Sequence, residues 1–481
     1  MVTTRSKSSK LSADTPADIP DSPIPSDSAG KVTSPRSKKV KSSFTSNYAQ
    51  LIIFLSLVLD LIAFTIILPL FPSILQYYKT RDGPDGVYRY LENKIGYFQR
   101  LVGAPSEFNA VLFGGFLGSF FSFLQFVASP IIGALSDVYG RKPVILLCLV
   151  GIAWSNWLWS VSTSFLTFIL ARVVGGISKG NLSVSMAAMT DISSSDKRAS
   201  GMALIGSAFS IGFVVGPMIG AYYSKSWSSR DGVWFATPAL FGIALTIADI
   251  IFVITLFRET LSKEKRLKSV ASSLRQAFTY INIKDLFLFN AVKNMSTKDL
   301  KQLRSLGVVY FLYLFIYSAL EFTLTFLTHW KFHYTTMQQG WMLSGAGITM
   351  AVMQGVFVRR IPSESVQTYA SLGLLLVVPA FICIGLAQTS PVLIIGVFIY
   401  SLSTSFVVPC MTTIASKYGT SSQKGTALGI FRSLGALARA TGPIVGCIGF
   451  WSLGPLITYC TGGVLLLIPW YLLRLSPNMK V

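Results

Sequence analysis

The sequence predicts an all-α membrane protein, with twelve transmembrane helices in two six-helix bundles and both termini on the cytoplasmic side. Three observations predict it. Apolar residues make up 52% of the 481 positions and charged residues 13%, about half the charged fraction of a soluble domain. Mean hydropathy is +0.57, and the apolar residues gather into runs long enough to cross a bilayer. Lysine and arginine total 41 against 20 acidic residues, a net charge of +21. That balance also suits a nucleic-acid binder. Here, however, the basic residues lie between apolar runs and form no soluble face, so the partner is the lipid bilayer and not nucleic acid.

Taken in order, residues 1–47 are rich in Ser, Pro and Lys and poor in large apolar side chains. They cannot bury enough surface to fold and are expected to be disordered. They carry no charged, apolar and small-residue succession of a cleavable signal peptide. Within them, Pro35–Lys41 reads as positive charge that fixes topology, ahead of an address signal or an anionic-lipid contact. Spans are expected at 50–76, 108–132, 143–161, 165–190, 199–223 and 234–257. The second set is 306–329, 336–358, 367–388, 391–415, 425–449 and 453–474. A mixed-charge loop, 77–107, follows the first span. The division is therefore an N-terminal bundle, 48–257, a basic cytoplasmic linker, 258–305, a C-terminal bundle, 306–475, and a tail, 476–481.

Charge sets the orientation. With the N-terminus inside, inner segments hold 29 Lys or Arg and outer loops 8. The sequons at Asn181 and Asn294 then fall in a helix and on the inner side, and neither is expected to carry glycan. Trp154, Trp157 and Trp159 read as interface anchors. Cys148, Cys383, Cys410, Cys447 and Cys460 all lie in apolar runs and read as buried small hydrophobes. With two histidines, His329 and His333, no His-rich metal site is expected, nor any cofactor. No nucleophile–base pair or phosphate loop is visible, which sets enzymes aside.

The halves repeat. Lys197–Gly220 and Gln423–Gly446 align so that Ser207 meets Ser433, Gly216-Pro217 meets Gly442-Pro443, and Gly220 meets Gly446. Repeated halves are the signature of secondary transporters, which build a site at the repeat interface. Gly212, Gly216 and Gly220, four apart, make a smooth stripe that admits a close neighbour, and Pro217 favours a bend.

Between spans two and three stands Gly133-Ala-Leu-Ser-Asp137-Val-Tyr-Gly140-Arg141-Lys142-Pro143. Gly140 supplies a turn conformation that other residues resist, Asp137 can accept from Arg141, and the two cations hold the turn inside. The physics alone fits an inner anchor as well as a moving part.

Charges inside spans carry the functional reading. Each costs about 2.5–3.5 kcal/mol at a helix centre, so each is expected to face a cavity or a partner. The basic set is Arg172, Lys179, Arg432 and Arg439; the acidic set is Asp60, Asp249 and Glu321. Arg172 and Lys179, seven apart, share a helix face, as do Arg432 and Arg439. Asp249 is expected in an internal ion pair. Asn181 is a substrate-contact candidate, and the other amides in the spans, such as Asn156, are expected to bond a neighbouring helix. Four cations against three anions suit an anionic cargo, held through a bidentate arginine, and Asp60 and Glu321 are candidate proton carriers.

These motifs resemble those of the major facilitator superfamily. The 133–142 turn is similar to its motif A, a charge latch in that family, with Gly133, Leu135, Asp137, Gly140, Arg141 and Lys142 in place. The second-half loop keeps only Arg359 and Arg360. Arg172-Val-Val-Gly-Gly resembles motif B without its usual Gln, Gly175 standing there, and the glycine stripe resembles motif C of antiporters. The resemblance implies that spans one, four, seven and ten line a central cavity, placing Asp60, Arg172, Lys179 and Glu321 on the substrate path. RVVGGISKGN, LVLDLIAFT, YFLYLFIYSALEFTLTFLTH and RSLGALARATGP are similar to the animal tetracycline-transporter-like branch. That likeness implies a monomeric exporter of organic anions, exchanging for protons, at the plasma membrane or an endomembrane, the inner nuclear membrane included. The alternatives are an uncoupled facilitator of the same fold and a non-transporting sensor or scaffold.

Overall fold

Hydrocarbon offers the backbone no partner, so each apolar run folds as a helix that satisfies its N–H and C=O groups internally. The computed structural model describes residues 35–83, 85–102, 105–193, 198–227, 234–267, 269–292, 295–418 and 421–476, and its compact body is Ser46–Val481. The first half comprises α1 (Pro35–Thr65), α2 (Phe71–Arg81), α3 (Val87–Val102), α4 (Asn109–Tyr139), α5 (Arg141–Ser160), α6 (Phe165–Ser178), α7 (Asn181–Ile192), α8 (Arg198–Trp227) and α9 (Ala236–Leu256). The linker contains α10 (Val270–Thr279) and α11 (Ile283–Leu288). The second half comprises α12 (Thr297–Lys331), α13 (Thr336–Val352), α14 (Val366–Leu386), α15 (Ser390–Ser416), α16 (Ser421–Leu465) and α17 (Leu467–Arg474).

Among the described residues, eleven helices are long and apolar enough to cross a membrane. The last, Thr426–Arg474, has 49 residues, roughly 74 Å if straight and far beyond a bilayer's hydrocarbon. Gly454, with φ 79°, breaks it. Each arm is long enough for one crossing, which is consistent with twelve.

The structure corrects several expected boundaries. Residues 1–34 of the expected disordered tail lie outside the described residues, and α1 runs back to Pro35 because a formed helix propagates cheaply into good helix formers such as Lys. The 77–107 loop contains α3, and α2 extends into it to Arg81. The linker is largely helical, and α12 begins at Thr297, nine positions before the apolar run. The eighth span ends in a π turn, Met353–Phe357, and a 3-10 turn, Val358–Arg360. The fourth span is interrupted at Lys179–Gly180, where α6 gives way to α7. Of the three tryptophans, Trp154 and Trp157 are exposed, but Trp159 is buried at 1% exposure. Cys383 and Cys460 are half-buried, unlike Cys148, Cys410 and Cys447.

The internal repeat reappears as packing. A Cβ on Gly212 would lie 2.7 Å from Leu61 of α1, and one on Gly216 would lie 2.8 Å from the Ile62 carbonyl. Gly220 closes the same stripe against Ile66. In the second half Gly442 and Gly446 approach Phe315 and Ala319 of α12 in the same way. The prolines repeat too: the Pro217 carbonyl faces Gly340 of α13, and the Pro443 carbonyl faces Gly115 of α4. Each stripe thus packs on its own bundle while the adjoining proline turn meets the other bundle.

At the end away from the Gly140 turn the bundles interlock. Phe108 packs edge-on against Trp330 and Phe450, and Phe71 against Phe322 and Phe326. Trp451 Nε1 donates to Asn109 Oδ1 at 3.0 Å, the Ile444 N–H donates to Ser119 Oγ at 2.8 Å, and Ser344 Oγ donates to the Val214 carbonyl at 2.6 Å. At the turn end the linker makes the bridge. Leu267 N donates to the Asp137 carbonyl at 3.0 Å, and Ser273 Oγ donates to the Ala134 carbonyl at 3.1 Å. Both fasten the start of the linker to the first bundle. Tyr280, whose phenol is pushed up from its usual range by burial, hydrogen-bonds Thr426 of α16 in the second.

Candidate substrate and coupling site

The interruption of the fourth span places a lysine at the junction of two helices. Gly180 packs closely there: a Cβ would lie 2.5 Å from Ile132 Cδ1 and 3.0 Å from its Cβ. Lys179 Nζ donates to Asp60 Oδ2 of α1 at 2.7 Å, with side chains 5% and 1% exposed. The ammonium also lies 4.8 Å from the Phe64 ring centroid, so it is held by a charge and a π face in a dry setting. The second Asp60 oxygen, Oδ1, has no hydrogen-bond partner.

Arg172 stands seven residues back on α6. Its guanidinium lies 5.5 Å from the Phe168 ring, 5.8 Å from Phe121 and 5.9 Å from Trp159. It is 8% exposed, its Nε has no hydrogen-bond partner, and among the described residues no carboxylate lies within 4 Å. Arg172 and Lys179 together line a cavity of about 30 Å³, with Phe64, Phe121, Asn156 and Trp159. The shared face read from their spacing is therefore present.

Asp249 departs from expectation. It is fully buried on α9, with the Ser56 hydroxyl of α1 beside it, yet no cation among the described residues is within 4 Å. Lysine has one ammonium, and Asp60 holds it. Asn181 is buried at 2% exposure with Oδ1 unpartnered. Asn156 Nδ2 donates to Thr246 Oγ1 of the neighbouring α9 at 3.4 Å, as expected of an amide in a span.

In the second half Glu321 Oε1 accepts from Tyr317 at 2.8 Å and from Tyr400 at 2.9 Å, and the two phenols are 2.5 Å apart. Tyr317 is four residues before Glu321 on α12, a signal the sequence carried; Tyr400, from α15, gave none. Arg432 and Arg439 keep accessible surface in mid-α16, although both lie close enough to act electrostatically on fully enclosed Tyr310. Arg439 also acts on Glu321.

At the turn end, Gly140 has φ 106°, so the chain reverses between α4 and α5 where a side chain would be strained. Arg141 donates to Asp137 Oδ1 at 2.7 Å, to Asp191 Oδ2 at 2.9 Å and to Ser136 Oγ at 2.6 Å. Glu259 accepts from the backbone N–H of Arg141 at 2.9 Å and of Lys142 at 3.2 Å, a carboxylate on a helix N-terminus. It also pairs with Arg266 of the linker at 3.6 Å and accepts from the Leu261 N–H at 3.0 Å. Lys142 Nζ donates to the Ile254 carbonyl at 2.8 Å, closing the last turn of α9. Gly133 takes part through its carbonyl, which accepts from Ser136 at 2.7 Å. Asp191 and Glu259 escape sequence reasoning because they lie 50 and 118 residues from Arg141. Arg359 and Arg360 of the second-half loop are exposed and make no ion pair among the described residues.

The family model of the Major Facilitator Superfamily matches residues 53–443. The chain is 43% identical over 429 residues to the human major facilitator superfamily domain-containing protein 10, spanning 88% of this chain and 92% of that one. The mouse protein of the same name is 42% identical over 429 residues, at 88% and 91% coverage. A crystal structure of the human organic anion transporter MFSD10 (TETRAN) matches with a TM-score of 0.75 at 42% identity, over 89% of this chain and 99% of that one.

Proposed function

The chain belongs to the major facilitator superfamily, and we propose that within it this protein is a secondary active carrier of small organic anions. It is a multi-pass membrane transporter, and the cycle is rocking of the two bundles about a midplane site. The observation that carries the anion reading is Arg172. A buried guanidinium without a counter-anion is costly, and three aromatic faces only partly offset that cost. A cargo carboxylate completes it, through two parallel hydrogen bonds. The human relative's name as an organic anion transporter supports the same class.

Protons are the coupling ion in this reading, with Asp60 and Glu321 as the candidate carboxylates to take one up. Asp60 sits beside the Lys179 ammonium and Glu321 beside two phenol donors, inside the spans. Arg432, Arg439 and Asn181 extend the cargo path, and the Arg141 cluster is the latch that makes and breaks as the bundles rock. With the termini inside, the interlocked end faces outward, so the described state is closed to the outside. Reconstitution tests the reading: a panel of radiolabelled organic anions and cations is offered to proteoliposomes with and without a pH gradient. Anions are expected to exchange and cations not, and Arg172→Gln is expected to lose anion exchange at least tenfold. Exchange of cations alone refutes it.

A further inference from the structure

We infer that proton and anion travel in the same direction, one proton at Asp60 for each carboxylate bound, because Asp60 and the cargo compete for one ammonium, that of Lys179. The inference rests on the reading of the chain as an organic-anion carrier and fixes the sign of its coupling, which the antiporter-like glycine stripe left pointing to exchange.

Lys179 bonds Asp60 at 2.7 Å and at the same time lines the cavity with Arg172. While Asp60 is ionised, that charge is neutralised within the protein, and an incoming carboxylate finds Arg172 alone. A proton on Asp60 removes the internal rival, and Lys179 joins Arg172 on the cargo. The cavity, about 30 Å³, has room for one or two waters, the size of a carboxylate head with its organic body outside. Proton binding thus strengthens anion binding, and by reciprocity the anion strengthens proton binding by the same factor. Exchange needs the opposite sign, as when a proton displaces a cationic cargo from a carboxylate.

The charge tally agrees. Empty, the site holds ionised Asp60, Lys179 and Arg172, a net of one positive charge. Loaded, it holds neutral Asp60, two cations and the cargo carboxylate, again one positive charge. The two forms that must cross the bilayer are electrically alike, while an anion loaded without its proton changes the charge buried in the spans. The other titratable groups facing Asp60 are Asp249 from α9 and the Cys148 thiol from α5. Asp249 lacks a cation within 4 Å and is the rival proton site, so its variant belongs in the test.

The experiment uses the full chain in proteoliposomes, with p-aminohippurate as probe and protein-free vesicles as the control for passive leak. Counterflow at equal pH on both sides reports the carrier itself. Accumulation is then driven by a pH step with the membrane potential clamped by potassium and valinomycin. The expected result is protein-dependent accumulation on the alkaline side, limited to about tenfold per pH unit for one proton per monoanion, and unchanged by the potential. Asp60→Asn is expected to lose accumulation and to leave its remaining counterflow insensitive to pH, while Asp249→Asn keeps accumulation. Accumulation on the acidic side, dependence on potential, or Asp249→Asn in place of Asp60→Asn abolishing coupling overturns the inference and leaves the carrier standing. Absence of counterflow for p-aminohippurate and every other panel anion sinks the carrier reading instead. Should Asp60→Asn fail to fold, the direction of wild-type accumulation decides alone.

Discussion

The closeness of α12 and α16 can be tested with one methyl group. A Cβ on Gly446 would lie 2.5 Å from the Ala319 carbonyl oxygen and 2.8 Å from the Ala319 carbonyl carbon and Cα. Favourable carbon contacts lie at about 3.5–4.0 Å. All three obstructing atoms are backbone, so no rotamer change relieves the clash and the helices must part by about an ångström. Overpacking of this kind costs about 1–3 kcal/mol, of which alanine's helix preference over glycine offsets about 0.5–1 kcal/mol. At the middle of both ranges Gly446→Ala should therefore lose about 1 kcal/mol net. The control is Gly345→Ala in α13, where a Cβ meets nothing within 4 Å and the change should stabilise by about 0.4–1 kcal/mol. Thermal unfolding of the detergent-solubilised protein, followed by tryptophan fluorescence, should order the midpoints as Gly446→Ala below wild type and Gly345→Ala at or above it. A wild-type midpoint for Gly446→Ala refutes the direct approach of these two backbones.

Other predictions probe the two ends of the bundles. Arg141→Met strips Asp137, Asp191 and Ser136 of a shared donor and should cost about 1.5–3 kcal/mol, read as a lower unfolding midpoint together with slower anion exchange; an unchanged midpoint would show that the cluster holds nothing. Glu259→Ala removes the acceptor at the start of α5 and should cost about 1 kcal/mol, as loss of a helix cap does, with Glu259→Gln losing less. Trp451→Phe breaks the bond to Asn109 across the interlocked end, worth about 1 kcal/mol, and should raise thiol labelling of a cysteine placed at Phe108; equal labelling would mean the bond does not help to close that end. A single cysteine at Lys179 or Glu321 should react with a water-soluble thiol reagent in at least one state of the cycle, and sealing of both in all states argues against a wet path between the bundles.

The span pattern was legible because hydrocarbon solvent imposes it directly on composition. So was the repeat, since glycines spaced by four and a following proline encode a close helix crossing that both halves use. The sequence also placed Arg172 and Lys179 on one face. It did not pair Lys179 with Asp60, because they are 119 residues apart and either could have served another partner; the same ambiguity misassigned Asp249. Trp159 reads as an interface anchor in one dimension, and only packing reveals that its indole lies over a guanidinium. The helices outside the spans, α3 and α10, carry apolar residues at helical spacing, Tyr88, Leu91 and Ile95 in the one and Val270, Leu274 and Phe278 in the other; they were missed because charged and polar residues between them keep either run from reading as a span.

The linker's two anchor points measure a distance. Ser273 is fixed to the first bundle and Tyr280 to the second, seven positions apart, roughly 10 Å while the segment stays helical and no more than about 25 Å if it is pulled straight. However long the covalent connection, the gap that can open on that side is governed by this short stretch. Wider travel requires one hydroxyl to let go first, which turns a pair of ordinary hydrogen bonds into a stop on the stroke of the machine.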